Sequence, residues 1–143
     1  MAGPNSEPIY SKAGDVQIIT DMVTAHNTID LTAGTSYLCF TADATNGGYV
    51  REARVKVGPA NNSAATVVRF WLNNGATTGT ATNSAIYGEL GMPATTTSAV
   101  NAQPDFVYPF NIALPAGWKI YATMGTAPGG SCEFSITTIA GKY

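Results

Sequence analysis

Two apolar runs on either side of a polar loop decide how this chain folds. The runs read TVVRFWL at residues 66–72 and AIYGEL at residues 85–90, and the loop between them reads NNGATTGTATN at residues 73–83. Within each run, β-branched or aromatic side chains alternate with polar or small ones, a period of two that is typical of strands with one buried face. The loop is rich in Gly, Asn and Thr, which suit turns. The stretch therefore predicts sheet scaffold, and it contains no concentration of acids, histidines or thiols.

The same pattern recurs along most of the chain and predicts eight strands and no helix. The predicted strands are residues 16–20, 36–42, 49–57, 65–72, 84–92, 106–114, 118–126 and 131–140. Turn sequences such as TNGG, GPANN, PAG and PGG separate them. This spacing predicts an all-β fold, an antiparallel β-sandwich of jelly-roll type. We expect residues 15–143 to form that domain and residues 1–14, which are rich in Pro, Gly, Ser and Asn, to form an extended N-terminal arm.

Alternation within the strands also predicts which side chains face the core. The residues predicted to point inward are Ala53, Val55, Val57, Val68, Phe70, Leu72, Trp118, Ile120, Ala122, Met124, Cys132, Phe134 and Ile136. Glu52, Arg54 and Lys56 are predicted to face solvent. Trp71 and Tyr121 fall in the outward phase, which makes them candidate interface residues. Ile9 and Tyr10, the apolar pair of the arm, are the other candidates, and we expect them to anchor the arm on a neighbouring subunit or shell.

Composition restricts the partners. Charged residues make up 11% of the 143 residues, against about 25% in typical soluble domains. A surface made polar by hydroxyls and amides suits a protein that packs against others, and a neutral monomer is the alternative. A net charge of -2 argues against a nucleic-acid partner, because phosphates are neutralised by basic faces. No apolar run approaches the roughly 20 residues of a membrane helix, and the N-terminal residues do not resemble a secretory signal. These features predict a chain made in the cytoplasm.

The residues that carry chemistry are scattered. The sole histidine, His26, lies in a predicted loop or short strand, and no serine sits in a nucleophile elbow beside it. Cys39 and Cys132 are predicted to be buried thiols, while a disulfide between them remains an open alternative. The acids occur singly, so paired carboxylates would require convergence in space. Zinc, calcium and phosphate-loop patterns are absent from the sequence. We therefore expect no catalytic residues, no metal and no cofactor.

Four segments resemble a known group of proteins. They read GYVREARVKV at residues 48–57, ATVVRFWLNNG at 65–75, IYGEL at 86–90 and ALPAGWKI at 113–120. They are similar to small virion structural proteins of tailed bacteriophages, over roughly residues 30–143. The resemblance implies a capsid decoration, or cement, protein on the capsid exterior, bound to the major capsid protein and assembled in the host cytoplasm. It also implies a homo-oligomer, with a trimer as the first expectation, and it supplies no catalytic residues.

Two other roles remain open at this stage. A tail or connector component would differ from a decoration protein mainly in symmetry and copy number. A fibre domain that recognises host carbohydrate is the second alternative, since Trp71 or Tyr121 with Asn73 and Asn74 would offer the aromatic and amide groups of a sugar site.

Overall fold

The structure, a computed structural model, describes residues 12–58 and 62–143. Every strand predicted from the sequence overlaps one observed strand, and the described residues contain one short 3-10 turn, Ala81–Asn83. The strands are β1 (Ala13–Met22), β2 (Tyr37–Thr41), β3 (Gly48–Gly58), β4 (Thr66–Asn73), β5 (Ser84–Met92), β6 (Phe106–Leu114), β7 (Lys119–Met124) and β8 (Glu133–Lys142).

The eight strands form two four-stranded antiparallel sheets. The first sheet has the order β1-β8-β3-β6 and the second has the order β2-β7-β4-β5. Strand β1 pairs with β8, β2 with β7, β3 with β6 and β4 with β5. These four pairs are nested, so the chain forms a long antiparallel double strand. Two further pairings, β8 with β3 and β7 with β4, complete the two sheets. This is the double-sheet jelly roll, so the predicted fold class is confirmed.

The boundary between arm and sandwich differs from the prediction. Strand β1 begins at Ala13, and Ala13 and Gly14 are register partners of Lys142 and Gly141 in β8. The sequence did not predict this earlier start of β1, because Ala13 and Gly14 lack the alternation of apolar and polar side chains that marks a strand. Residues 1–11, which include Ile9 and Tyr10, lie outside the described residues.

The core lies between the sheets and is made by the inward phase of each strand. All the side chains predicted to point inward are buried there or packed against it. Phe70 of the second sheet is fully buried, and its ring centroid lies 5.1 Å from that of Tyr108 and 5.2 Å from that of Phe110, both in the first sheet. Tyr87 stacks on Phe110 at 5.6 Å. Such aromatic pairs add about 0.5–1.5 kcal/mol each beyond area burial, so this cluster joins the sheets along β5 and β6.

The connecting loops gather at two ends of the sandwich. At the first end, the β3–β4, β5–β6 and β7–β8 connections are joined by backbone hydrogen bonds: Ser63 donates to Thr95 at 2.9 Å, and Ala64 donates to Pro128 at 2.7 Å. At the second end, Gly117 donates to Asp43 at 2.9 Å and so ties the β6–β7 turn to the β2–β3 turn. The N-terminus of β1 lies at this second end, beside the C-terminus of β8.

The approach of the two sheets at Gly88 generates a stability prediction. A Cβ on Gly88 would overlap the phenol ring of Tyr108, whereas a Cβ on Gly91 of the same strand would meet nothing within 4 Å. Gly88→Ala should therefore lower the free energy of unfolding by about 1–3 kcal/mol through overpacking. The control Gly91→Ala should leave it unchanged or slightly raised. Denaturant unfolding measures both variants, and equal effects would contradict the close packing of Tyr108 on β5.

Candidate interaction surface

Four large apolar side chains form a row across the outward face of the second sheet. Register pairs Leu38 of β2 with Tyr121 of β7, Tyr121 with Trp71 of β4, and Trp71 with Ile86 of β5. Opposite side chains on one face of a sheet have Cβ atoms about 4.5–5.5 Å apart, so the four stand side by side. At the two edges, Leu38 is 44% exposed and Ile86 is 43% exposed, and Tyr121 between them is partly exposed. We refer to these four residues as the apolar row.

The prediction that Trp71 is an exposed aromatic is wrong. Trp71 does face outward, away from the core cluster, but it is only 1% exposed. Its Nε1–H donates a hydrogen bond to the hydroxyl of buried Thr123, at 2.9 Å. Alternation assigns a side chain to a face, but it carries no information about what lies over that face. Register places Trp71 and Tyr121 side by side on the outward face, while only Tyr121 offers accessible surface.

The β1–β2 loop, residues 23–36, lies against this outward face. The backbone N–H of His26 donates to Met124 of β7 at 2.7 Å. Arg69, which faces outward two residues before Trp71, has Nη1 3.5 Å from Oδ1 of Asn27. The loop therefore approaches the sheet next to the apolar row, at the register of Arg69 and Thr123.

The side chain of His26 contacts other residues of this loop and stabilises it. The side chain is buried; Nδ1 lies 3.1 Å from the carbonyl oxygen of Thr35, and Nε2 contacts Oγ1 of Thr28. Gly34 has a φ of +88°, and a Cβ there would come within 2.9 Å of the His26 ring, so only glycine suits this position. Both ring nitrogens thus face groups of the loop itself, an arrangement that stabilises the loop.

Asp30 is the acid nearest to His26 in the sequence, and its carboxylate forms hydrogen bonds with another residue of the same loop. Its Oδ1 accepts hydrogen bonds from the hydroxyl of Thr32 at 2.6 Å and from the backbone N–H of Thr32 at 2.9 Å. These hydrogen bonds lower the pKa of the Asp30 carboxyl. The carboxylate is therefore oriented towards its own turn, and the His26 ring nitrogens contact Thr35 and Thr28.

Polar residues border the apolar row on both sides. Arg69 of β4 pairs with Glu89 of β5, with Nε 2.8 Å from Oε1. On the other side, Asn73 is fully buried: its Nδ2 donates to Ser84 and its Oδ1 accepts from the backbone N–H of Gly75, both at 2.9 Å. Trp71 and Asn73 therefore present no accessible groups for the sugar site that the sequence left open.

The outward face of the first sheet carries charges that neutralise one another. Glu52 accepts from Arg54 at 2.7 Å and from Arg51 at 3.3 Å, and hydrogen bonds from Arg54 and then Arg51 lower the pKa of the Glu52 carboxyl. Lys56 lies 2.7 Å from Asp105. The predicted solvent-facing position of Glu52, Arg54 and Lys56 is confirmed, and their pairing leaves this face with little unbalanced charge.

One corner of that same face is apolar. Val16 is 60% exposed and Ile18 is 68% exposed, and both project from the edge strand β1. Val16 is opposite Ile139 of β8, and Ile18 is opposite Thr137. We refer to Val16, Ile18 and Ile139 as the β1 patch.

Few groups in the described chain are suited to chemistry. In residues 12–58 and 62–143, no three His, Cys, Asp or Glu side chains lie close enough to hold a metal ion. Cys39 and Cys132 are buried thiols and form no disulfide, and burial raises the pKa of the Cys39 thiol. Within the same ranges, no helix has the length and apolar character needed to cross a membrane.

Comparison with known proteins yields weak similarities. No protein-family model matches the chain, and no curated protein matches it. A chain from the crystal structure of the T13 IBDV viral particle aligns with 97% of this chain and 35% of its own length, at 14% identity and a TM-score of 0.37. A chain from the structure of the infectious bursal disease virus Gx strain aligns with 98% of this chain and 35% of its own length, at 16% identity and a TM-score of 0.34. This chain thus spans about a third of those chains, and likeness at this level transfers neither residues nor function.

Two buried threonines, one in each sheet, generate a second prediction. Thr123 and Thr138 are both fully buried, but Thr123 accepts the hydrogen bond of Trp71, whereas the hydroxyl of Thr138 has no hydrogen-bond partner among the described residues. Thr138→Val should raise the free energy of unfolding by about 1–3 kcal/mol, since it removes an unsatisfied buried polar group. Thr123→Val should lower it by a similar amount, because the indole N–H then loses its acceptor. Opposite signs in denaturant unfolding support this arrangement, and a loss of stability in both variants would contradict it.

Proposed function

We propose that this chain is a virion structural protein, a capsid decoration or cement subunit that binds the outer surface of the major capsid protein of a tailed bacteriophage and stabilises the head. The observation that carries the proposal is the apolar row, in which Leu38, Tyr121 and Ile86 give accessible apolar surface on three strands of one outward face, while Trp71 of the fourth strand is buried. An apolar stripe with aromatic content and few charges has the composition of an interface core. The chain acts by binding, and we assign no catalytic residues to it.

The fold and composition suit such a part. The jelly roll is an architecture that viral capsid domains use. With 11% charged residues, copies of the chain repel one another weakly, so they can be packed densely on a shell. The resemblance of residues 48–57, 65–75, 86–90 and 113–120 to phage virion proteins points to the same role.

The apolar row supports self-association of the subunit. Leu38 and Tyr121 are register neighbours and Ile86 stands at the opposite edge of the sheet, so a partner can contact the accessible apolar side chains of β2, β7 and β5. The ion pair of Arg69 and Glu89 beside the row suits a polar rim. A closed ring of three copies, as the resemblance implies, would use this face in a repeated contact.

Of the four residues considered for the carbohydrate-binding alternative, Trp71 and Asn73 are buried and hydrogen-bonded within the sheet, which leaves Tyr121 and Asn74 accessible. A tail or connector component would use the same apolar row, and it is separated from a decoration protein by copy number. Quantitative mass spectrometry of purified virions tests this: many copies per head support decoration, and a few copies per particle would overturn it.

The third prediction concerns Tyr121. Tyr121→Ala should cost on the order of 1–3 kcal/mol of association, because it removes the accessible aromatic at the centre of the apolar row. The control is Tyr49→Ala, which removes a partly buried tyrosine of the first sheet whose hydroxyl donates to Asn111. Sedimentation velocity should show a shift towards monomer for Tyr121→Ala alone. A wild-type chain that stays monomeric in solution and on the particle would contradict association through this face.

The fourth prediction concerns the arm. Deleting residues 1–11, which precede the first strand, should weaken binding to heads while leaving the thermal midpoint of the isolated domain nearly unchanged. The more conservative variant with Ile9→Ser and Tyr10→Ser should reproduce the loss if this apolar pair is the anchor. Head binding is measured by co-sedimentation and the midpoint by calorimetry. A collapse of the midpoint would show that the arm belongs to the core.

A further inference from the structure

The β1 patch is an apolar surface that the fold of one copy leaves open. Val16 and Ile18 are alternate residues, so both project from the same outward face of β1, where Ile139 lies opposite Val16. Burying a large aliphatic side chain is favourable, so two exposed ones on one edge strand offer apolar surface that a partner can bury. The apolar row lies on the other sheet, which makes the β1 patch a separate surface.

We propose that residues 1–11 of a second copy of this chain bind the β1 patch, with Ile9 and Tyr10 packed on Val16 and Ile18. Residues 1–11 are the part of the chain that precedes the described structure, and Ile9 and Tyr10 are the large apolar residues near its junction with β1. An exchange of this segment between copies would link neighbouring subunits without using the apolar row.

The position of β1 makes it difficult for residues 1–11 to bind the β1 patch of their own copy. The shortest hairpin connection has two residues, and such a turn at residues 11–12 would place Tyr10 opposite Ala13 and Ile9 opposite Gly14. Ile18 lies five residues beyond Ala13, about 17 Å further along the strand. Tyr10 is three residues from Ala13, so it reaches at most about 11 Å from it and falls short of Ile18 in the same copy, whereas the pair of another copy has no such constraint.

Charge agrees with this pairing. Glu7 is the only charged side chain in residues 1–11. Register pairs Ile18 with Thr137 and Thr137 with Arg54 on the outward face. The Cα of Arg54, whose guanidinium also pairs with Glu52, therefore lies about two strand spacings, roughly 10 Å, from that of Ile18. With Ile9 on the β1 patch, Glu7 lies two residues away along the bound segment and within reach of Arg54.

The segment packs on the face of β1 and does not extend the sheet. Pro4 and Pro8 lack the N–H groups that a regular added strand would donate. On the inward side of β1, Asp15 lies 3.1 Å from Lys142 and accepts a hydrogen bond from Gln17 at 3.2 Å, and such inward charges on an edge strand oppose edge-to-edge pairing.

Disulfide trapping in solution tests the proposal with the full chain. An affinity-tagged Tyr10→Cys variant is mixed with an untagged Ile18→Cys variant and oxidised, and a disulfide-linked heterodimer should form. The matched control replaces Ile18→Cys with Val100→Cys, which is also highly exposed but lies on the β5–β6 loop at the first end. The natural thiols are buried, so the wild-type chain should give no dimer under the same conditions.

Each outcome is decisive. Linking with Ile18→Cys and not with Val100→Cys supports the exchange. No linking, or equal linking with both partners, overturns it. Intramolecular closure of a Tyr10→Cys and Ile18→Cys double variant, without linking in the mixture, would show that the segment binds its own copy and would also overturn it.

A second measurement does not depend on cysteine chemistry. Ile18→Lys should weaken self-association by about tenfold or more, as should deletion of residues 1–11, and the two changes combined should be no worse than either alone. Val100→Lys serves as the control and should have no effect. Fully additive losses would overturn the proposal. Because no capsid is present, the result does not depend on whether the chain decorates heads.

Discussion

The burial of Phe70 between the two sheets is the constraint on which the rest of the structure depends. Phe70 meets Tyr108 and Phe110 across the core, and a slip of β4 by one residue would turn it out to solvent. The same register that holds Phe70 inside sends Trp71 outward, beside Tyr121 and Ile86. The interior packing therefore also sets the composition of the exterior, and the apolar row follows from the position of one core ring.

The two outward faces differ because their charges are distributed differently. On the first sheet, Glu52 and its arginines satisfy one another, and the exposed large apolar side chains of that face, Val16 and Ile18, belong to the β1 patch. On the second sheet, the ion pair of Arg69 and Glu89 stands beside the apolar row, and the β1–β2 loop lies against the same face. A subunit with two apolar surfaces on opposite sheets has the geometry to join more than one neighbour.

Sequence reasoning predicted the strands well because alternation is strong where one face of a strand is buried. The inward phase of Val68, Phe70 and Leu72 is as predicted, since β4 has core on one side and a different environment on the other. Sequence reasoning failed where side-chain alternation gives no information. Ala13 and Gly14 show no alternating pattern that would mark the start of β1, and the outward phase of Trp71 did not predict its burial. The transverse row of Leu38, Tyr121, Trp71 and Ile86 could not be predicted either, because it arises from strand register, which a single chain pattern does not contain.

The nested pairing of the strands has a consequence for how the chain reaches its fold. The β4–β5 hairpin pairs strands that are adjacent in sequence. Strand β1 pairs with β8, and this contact joins residue 13 to residue 142. Loop-closure entropy makes such distant contacts slow to form. During synthesis, the first strand made is thus the last to be paired, and Val16 and Ile18 spend that interval beside an unsatisfied backbone. The chain is most prone to aggregate before β8 has emerged from the ribosome, and a chaperone that shields β1 would protect it in that interval.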